Sequence, residues 1–438
     1  MFLVTMLLIR PHPIRGESAR GYVLRLSDLN GSDGPRWLLQ YLKCLDATEN
    51  GCAALGRLLG WEAAGFDDLR GPIANMAQLN APDRHALPMR YWNTLRSRFC
   101  PACLSESTHW HAEWELNFTV TCARHGLKLV DMCCICHKPV SWYRARILEC
   151  ECGASLMKLQ SEAAPEILRQ ISAEISARLE HRTRNAALLA APTAHLGLEP
   201  YLKLLWFLGA YGRDASGKPQ KIMGLQQVDV ATSLVSAAAG VLENWPQGFR
   251  RLLDRISGRS AGQAIGNKLA TQFGYLYPTL YKTFAGDEFA FLRRAFEDYL
   301  YENWSGQLAA RNRRLSRDLK NNHEWVPIAK AARLLRVRAP SVRSLIARGV
   351  LKGSSYRTAT GRSIGVVHRH DLDRFSKEQQ DWLTLKQVRE LLGISRKRAD
   401  ALIAAGELVS IVSERKTGTP WVFRRSQVLQ SHLLPVIE

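Results

Sequence analysis

FCPACLSESTHWHAEWELNFTVTCARHGLKLVDMCCICHKPVSWYRARILECEC, residues 99–152, holds eight of the chain's ten cysteines. They come in close pairs. Cys100-Pro-Ala-Cys103 is followed by Cys122-Ala-Arg-His125, and Cys133-Cys-Ile-Cys136 by Cys150-Glu-Cys152. Zinc takes four tetrahedral sulfur or nitrogen ligands, and a Cys-x-x-Cys turn curls the backbone round one ion so that two thiolates meet it. The 18 and 13 residues between half-sites leave room for a hairpin or a short helix. The spacing therefore predicts two zinc ions. Cys100, Cys103, Cys122 and His125 hold one, and Cys133, Cys136, Cys150 and Cys152 the other. Neither set leaves an open position, so both ions are expected to supply folding energy rather than chemistry. Cys134, beside Cys133, can take its place. His109, His111 and His137 read as spare histidines, and Cys44 and Cys52 as small buried residues. Eight clustered cysteines with a well-spaced histidine suit metal in a reducing compartment better than disulfides.

One catalytic reading has to be weighed. Zinc deaminases pair H-x-E with P-C-x-x-C. His111-Ala-Glu113 occurs here, but after the Cys-x-x-Cys, and the proline lies inside the pair. The first ligand set is also complete without His111. The chain carries no P-loop, no GxSxG and no HExxH. A non-enzymatic protein is expected.

The 438 residues allow two to four domains. Sixty Lys+Arg against 40 Asp+Glu give a formal charge of +20, which favours a polyanionic partner. No stretch approaches the ~20 apolar residues of a membrane-spanning helix. Met1–Ile9 is short, lacks a basic start, and reads as a buried terminal strand or turn. A cytoplasmic protein is expected.

The architecture expected is mainly α. Residues 1–98 form an N-terminal unit, with helices starting after Glu17-Ser18, over Pro35–Leu45 and over Ala53–Leu59. Three short helices resemble a helix-turn-helix, although a plain scaffold fits the periodicity equally. Residues 99–156 form the double zinc region, and 157–312 a helical domain. There Ile167–Leu179, Leu198–Leu208, Ala237–Leu253 and Phe289–Tyr301 carry helical spacing, with breaks at Asp214–Gln220 and near Gly258–Gly266. Trp206, Phe207, Phe273, Tyr275, Tyr277, Phe289, Phe291 and Phe296 read as core. The polar, basic stretch Arg311–Asn322 reads as a linker.

An internal repeat follows. Trp325–Leu351 aligns without gaps on Trp382–Leu408, with eight of 27 positions identical: Trp325/Trp382, Leu334/Leu391, Leu335/Leu392, Leu345/Leu402, Ile346/Ile403, Ala347/Ala404, Gly349/Gly406 and Leu351/Leu408. The identities are apolar or glycine, which predicts a preserved core in two domains, 323–377 and 380–438. Each is a helix, a short turn and a second helix ending at glycine. In the second copy these are Leu385–Leu392, Gly393-Ile394-Ser395 and Arg396–Ala405. Ser395 can cap the latter helix, and Arg396, Lys397 and Arg398 crowd its first turn, where helix-turn-helix proteins meet DNA. Positive charge there opposes the helix dipole, so structure alone explains it poorly. Ser341 and Arg343 take similar places in the first copy. Basic hairpin-like segments follow, with Arg357, Arg362, His368 and Arg369, then Arg415, Lys416, Arg424 and Arg425, resembling wings that grip phosphates. Residues 311–438 hold 26 Lys+Arg and 11 Asp+Glu, so most of the excess charge lies here. DNA contact is expected of Ser341, Arg343, Arg357, Arg369, Ser395, Arg396, Lys397, Arg398, Arg415, Lys416, Arg424 and Arg425.

Thr384-Leu385-Lys386-Gln387-Val388 with Leu391-Leu392-Gly393-Ile394-Ser395-Arg396 and Leu402–Leu408 resembles the winged helix-turn-helix of the MerR/excisionase group. The start of the chain, Arg10-Pro-His-Pro with Glu17-Ser18 and Gly21-Tyr-Val-Leu-Arg-Leu, resembles the opening of the TniQ/TnsD family of bacterial transposon proteins. So do Phe99-Cys-Pro-Ala-Cys-Leu, Trp114-Glu-Leu, Thr121-Cys-Ala-Arg-His-Gly with Leu129, Cys133–Cys136, and Asn244-Trp245-Pro246 with Phe249. The likeness spans about residues 1–300. It implies target-site selection for DNA transposition, with the site passed to an AAA+ ATPase regulator that recruits the transposase. Some members of the family bind DNA themselves; others dimerise and ride on an RNA-guided CRISPR effector. The competing reading is a zinc-containing transcriptional regulator built from the same parts. On either view the zinc block is expected to act as a rigid joint between the N-terminal unit and the helical body.

Overall fold

The computed structural model describes residues 7–45, 51–61, 66, 69–72, 78–79, 87–180, 191–258, 269–308, 312–357, 363–411 and 421–430. The chain is mostly helical and divides into two compact units: residues 1–260 with 269–296, and residues 261–268 with 297–438.

The first unit is organised around α1 (Ala19–Leu29), buried on nearly every side. Ser18 starts it by accepting the Gly21 amide at 2.7 Å, which satisfies one of the free donors of the first turn. Tyr22, Val23 and Leu26 pack with Leu38 and Leu42 of α2 (Arg36–Leu45) and with Leu55, Leu58 and Leu59 of α3 (Gly51–Leu59). Leu24 turns the other way, into a cluster with Phe99, Trp110 and Trp114. That approach needs a glycine: a Cβ on Gly21 would lie 2.3 Å from the Trp110 Cβ. A short antiparallel hairpin, β1 (Gly71–Pro72) with β2 (Gln78–Leu79), follows α3.

The opening motif is a set of ties onto this helix. The Arg25 guanidinium meets both Glu17 oxygens at 2.7 and 2.8 Å and the His12 carbonyl at 2.9 Å. The Tyr22 hydroxyl donates to the Pro11 carbonyl at 2.8 Å, His12 stacks on Trp61, and Arg10 reaches the Leu59 carbonyl. The strand or buried turn expected over Met1–Ile9 does not form where it is described. Residues 1–6 lie outside the described residues; Leu7 is buried, but Leu8 is 96% exposed. The Asn30 amide bonds both the N–H and the C=O of Ile9, which takes the place of strand pairing.

After α4 (Pro101–Glu106) and the cysteine block come α5 (Glu166–Leu179), α6 (Leu198–Arg213), α7 (Val228–Leu242), α8 (Gln247–Ser257), α9 (Leu269–Phe273), α10 (Leu276–Lys282) and α11 (Ala290–Asn303). Gly209 lets α6 approach α7, since a Cβ there would lie 2.5 Å from the Leu234 carbonyl oxygen. The single helix expected over Ala237–Leu253 is two. Pro246 has no amide to continue α7, and Asn244-Trp245-Pro246 forms the corner, with Trp245 stacked on Phe249 and edge-on to Phe291. Gly258, in the left-handed conformation, ends α8; the rest of the expected break, 259–266, lies outside the described residues. Phe207, Phe273, Tyr277, Phe289 and Phe296 are core, whereas Trp206 and Tyr275 are about half exposed. No helix among the described residues is long and apolar enough to cross a membrane.

In the second unit the stretch Arg311–Asn322, expected as a linker, folds in its latter half as α12 (Arg317–Asn322). Ser316 caps it through the Leu319 amide, and Leu315 and Leu319 are buried. Two leucines among charged residues escape a reading by composition.

The repeat is larger than its sequence identities. In the first copy β3 (Trp325–Pro327) leads into α13 (Ile328–Leu334) and α14 (Ala339–Ala347), followed by the hairpin β4 (Gly353–Arg357) and β5 (Ser363–His368) and then α15 (Arg369–Gln380). β5 lies between β3 and β4, antiparallel to both. The second copy has β6 (Trp382–Thr384), α16 (Leu385–Leu392), α17 (Arg396–Ala404), β7 (Val422–Arg424) and α18 (Arg425–Gln430), with β6 antiparallel to β7. The registers correspond: Trp325 pairs with His368 as Trp382 pairs with Arg424. The amides that open α15 and α18 also bond equivalent carbonyls, Arg369 to Glu324 and Arg425 to Asp381. Leu335/Leu392 and Leu351/Leu408 are buried as the repeat predicts. Leu334 and Leu391 are not core, being 51% and 37% exposed.

Candidate metal centres and nucleic-acid interface

Four turns bring the cysteines together. Cys100 is the residue before α4, and Pro101 occupies the first helical position, where its missing amide costs nothing. Cys103 therefore sits one turn along a helix rather than in a free loop. The other three half-sites are tight reversals. The Gly126 amide bonds the Cys122 carbonyl, the His137 amide that of Cys133, and the Gly153 amide that of Cys150.

In the first set, Cys103 Sγ lies 3.5 Å from Cys122 Sγ, and His125 Nδ1 lies 3.6, 3.2 and 3.5 Å from Cys100, Cys103 and Cys122. In the second, Cys133 lies 3.7 Å from Cys152, and Cys136 3.7 Å from Cys150. A tetrahedron with metal–sulfur bonds of ~2.3 Å has sulfur–sulfur edges of about 3.8 Å and sulfur–nitrogen edges slightly shorter. Both sets fit one metal ion each. The thiols show the same demand. Hydrogen bonds from Cys100 and Cys103 push Cys122 far below the usual thiol range, while bonds with Cys100 and Cys122 push Cys103 far above it. Crowded thiols left to themselves concentrate the charge on one sulfur; a cation lets all of them ionise.

His125 presents Nδ1 to the set, and its Nε2 meets Glu106 Oε1 at 3.0 Å, the outer carboxylate that fixes the tautomer of a ligating imidazole. Glu106 was not legible beforehand, because its reach depends on Cys100–Cys103 opening a helix. Cys134 is exposed and stands outside both sets, as do His109, His111 and His137. His111 packs against His109 and Trp114, and burial lowers its pKa to about 4. Cys44 and Cys52 lie where side chains are not described.

The first set is part of a core. Cys100, Cys103 and Cys122 are buried with Leu24, Phe99, Leu104, Trp110 and Trp114. The block bonds to both neighbours in this unit. Asp28 of α1 accepts from Arg146 and from the Ile147 amide; Asp131 accepts from the Val228 amide; Ser172 of α5 accepts from the Thr121 amide. Arg98, fully buried, donates to the carbonyls of Asn117, Thr119 and Leu225.

One buried carboxyl gives a pH signature. Burial raises Glu115 to about 7, with Arg20, 3.9 Å away, and Ser18 pulling it down. A carboxyl whose folded pKa is raised contributes stability below its unfolded value, near 4.3, that is lost as pH rises through about 7. Glu115→Gln is therefore expected to remove that loss. Arg20 keeps the Asn93 carbonyl and the face of Trp142. The variant's advantage in urea unfolding should grow by ~2–3 kcal/mol between about pH 5 and about pH 8. An advantage that does not change with pH would show that Glu115 does not titrate in this range.

The second unit presents its basic side chains unequally. In α17, Ser395 Oγ accepts the Arg398 amide at 3.2 Å, so this hydroxyl caps the helix. Arg396, Lys397 and Arg398 are exposed on the first turn, and Asp400 lies 3.9 Å from Arg396. In the first copy the residue before α14 is Arg338, not Ser341. Ser341 occupies the place of Arg398 and is exposed, and Arg343 is half-buried. Arg369 is tied down: its guanidinium donates to the carbonyls of Asn321 and His323. Arg424 and Arg425 are exposed at the junction of β7 and α18. Arg357 lies in β4 without a described side chain, and Arg362, Arg415 and Lys416 lie outside the described residues.

Two four-residue sets able to hold one metal ion each, followed in the chain by a duplicated helix-turn-helix unit, define the class: a mostly helical protein with a DNA-binding type of motif. Residues 8–129 match the TniQ family, and residues 382–430 match a helix-turn-helix domain. The chain therefore carries a TniQ domain near its start and a helix-turn-helix domain at its C-terminus. No curated protein matches it in sequence. The TniQ match contains the whole first ligand set and ends at Leu129, short of the second. The helix-turn-helix match covers the second copy of the repeat.

Proposed function

We propose that this protein is a non-enzymatic target-site selection factor for DNA transposition, which binds target DNA, or an RNA-guided targeting complex, and recruits an AAA+ transposition regulator. The observation that carries the reading is one chain joining a TniQ domain, with its complete first ligand set, to a helix-turn-helix whose basic first turn stands free. Both sets take zinc, since thiolate and imidazole donors in closed tetrahedra suit that ion, and both ions are structural. The zinc block serves as a rigid joint between α1 and the helical body, supported by the hydrogen bonds it makes to each.

Capture of the full chain from its host, with sequencing of the bound DNA and RNA and identification of bound protein, tests the proposal. Enrichment of DNA at transposon insertion sites together with an AAA+ ATPase is expected. Enrichment of promoters without the ATPase would overturn it in favour of a transcriptional regulator.

A further inference from the structure

The two copies of the repeat carry their charge in different places. Aligned on the sequence, Arg396, Lys397 and Arg398 of α17 correspond to Ala339, Pro340 and Ser341 of α14, so the first copy lacks the basic turn of the second. On the preceding helix the copies place their cations at different positions. Lys330 and Arg333 of α13 correspond to Gln387 and Glu390 of α16. Both first helices carry two cations, but those of α16, Lys386 and Arg389, sit beside Glu390, whereas α13 has no acidic residue.

The cations of α13 meet α12. A cleft of about 510 Å³ is lined by Arg317 and Lys320 from α12 and by Lys330 and Arg333 from α13, and among the described residues no acidic side chain lines it. Its polar neighbours are neutral: Lys330 Nζ lies 3.4 Å from Asn321 Oδ1, and Lys320 Nζ lies 3.4 Å from the Asn312 carbonyl. Arg369 adds a fifth cation at the edge by holding the Asn321 and His323 carbonyls. Burial, then Arg369 and Arg333, lower the pKa of Lys330, so the cations repel one another as the unit stands. Such crowding destabilises the unit unless an anion relieves it. Ser316 and two buried leucines hold α12 in place, so the arrangement belongs to the fold.

We propose that this cleft is a phosphate clamp: Arg317, Lys320, Lys330 and Arg333 grip the backbone of duplex DNA, while α17 of the second copy meets the bases. The inference rests on the DNA-binding reading above and assigns the two copies different tasks. In helix-turn-helix proteins the first helix crosses the backbone and the second enters the groove. Here α12, outside the motif, supplies half of the backbone contact.

The test uses the full chain and a duplex that it binds, with affinity measured by fluorescence anisotropy over a range of salt. Changing Arg317, Lys320, Lys330 and Arg333 to Gln is expected to lower the slope of log affinity against log salt by about two to four, since each phosphate contact contributes about 0.9. The hydroxyl-radical footprint should shorten on one flank while the sequence preference persists. The pair Arg317→Gln with Lys320→Gln, on α12 alone, should give about half the effect and keeps the test valid if the fourfold variant folds poorly. An unchanged slope and footprint in folded variants overturns the clamp and leaves the DNA-binding reading intact. Loss of RNA affinity alone, with duplex binding unaltered, also overturns it. A wild-type chain with no affinity for duplex DNA overturns both.

Discussion

Cys122→Ser should unfold the first unit, whereas Cys152→Ser should leave it folded with one metal ion fewer. The two substitutions remove the same chemistry from very different surroundings. Cys122 is buried with Cys100, Cys103, Phe99, Trp110 and Trp114, and the same cluster takes in Leu24 of α1. In Cys122→Ser without a metal ion, two thiols and a hydroxyl would remain in an apolar core beside the His125 imidazole. A structural zinc supplies on the order of 10–16 kcal/mol of folding free energy, against a total stability of about 5–15 kcal/mol for a typical domain. Losing the first ion therefore exceeds the margin of the unit. The second set lies at the edge of that cluster: Cys133 and Cys150 are buried in it, but Cys152 is exposed, Cys136 half-buried, and Ile135 beside them 68% exposed. Its loss should loosen residues 132–155 and lower the melting temperature by only several degrees. Metal analysis and thermal melting read both outcomes. Two zinc per chain are expected in the wild type and one in Cys152→Ser, with insoluble or molten protein for Cys122→Ser. A Cys122→Ser protein that melts like the wild type would show that the first set is not the centre of the core.

Why some of this was legible in the sequence, and the rest was not, follows from how far each feature reaches along the chain. A Cys-x-x-Cys or Cys-x-x-His half-site is a single turn, and its ligand geometry is written into four residues. The helix starts at Ser18, Thr384 and Ser395 are equally local, because each hydroxyl bonds an amide three residues on. The repeat showed its buried leucines and a hairpin-like segment after each helix pair, but not the pairing of β5 and β7 with the strands that open each copy, or the helices that follow. There the paired partners lie more than 40 residues away and share register rather than side-chain identity. Leu334 and Leu391 misled in the other direction, because identity in a repeat records common descent as well as burial. The break within 237–253 turns on one residue, Pro246, which outweighs good helical spacing on either side. Arg369 read as a wing cation and is instead committed to carbonyls of 321 and 323, a contact that no periodicity encodes. The cleft between α12 and α13 was hidden for a related reason: Arg317 and Arg333 are 16 residues apart, and only folding of the supposed linker unites them.

Replacing Arg396, Lys397 and Arg398 with alanine should weaken binding to duplex DNA by about a hundredfold or more at moderate salt and lower the salt slope by up to about three. The same substitution should slightly stabilise the protein. The opposed signs are what make the experiment decisive. All three cations stand on the first turn of α17, at the positive end of the helix dipole, where each costs about 0.3–1 kcal/mol. Alanine also has the higher helix propensity. Among the described residues Asp400 is the one carboxylate paired with any of them, and at 3.9 Å on an exposed surface it returns little. Ser395 continues to cap the helix through the Arg398 backbone amide, which alanine retains. If the basic turn merely solubilised a protein-binding face, DNA affinity would stay as it was while stability rose. If it were structural, stability would fall. Only a turn held against its own electrostatics for the sake of an anionic partner loses affinity and gains stability together, and parallel anisotropy titrations and urea melts of one variant separate the three cases.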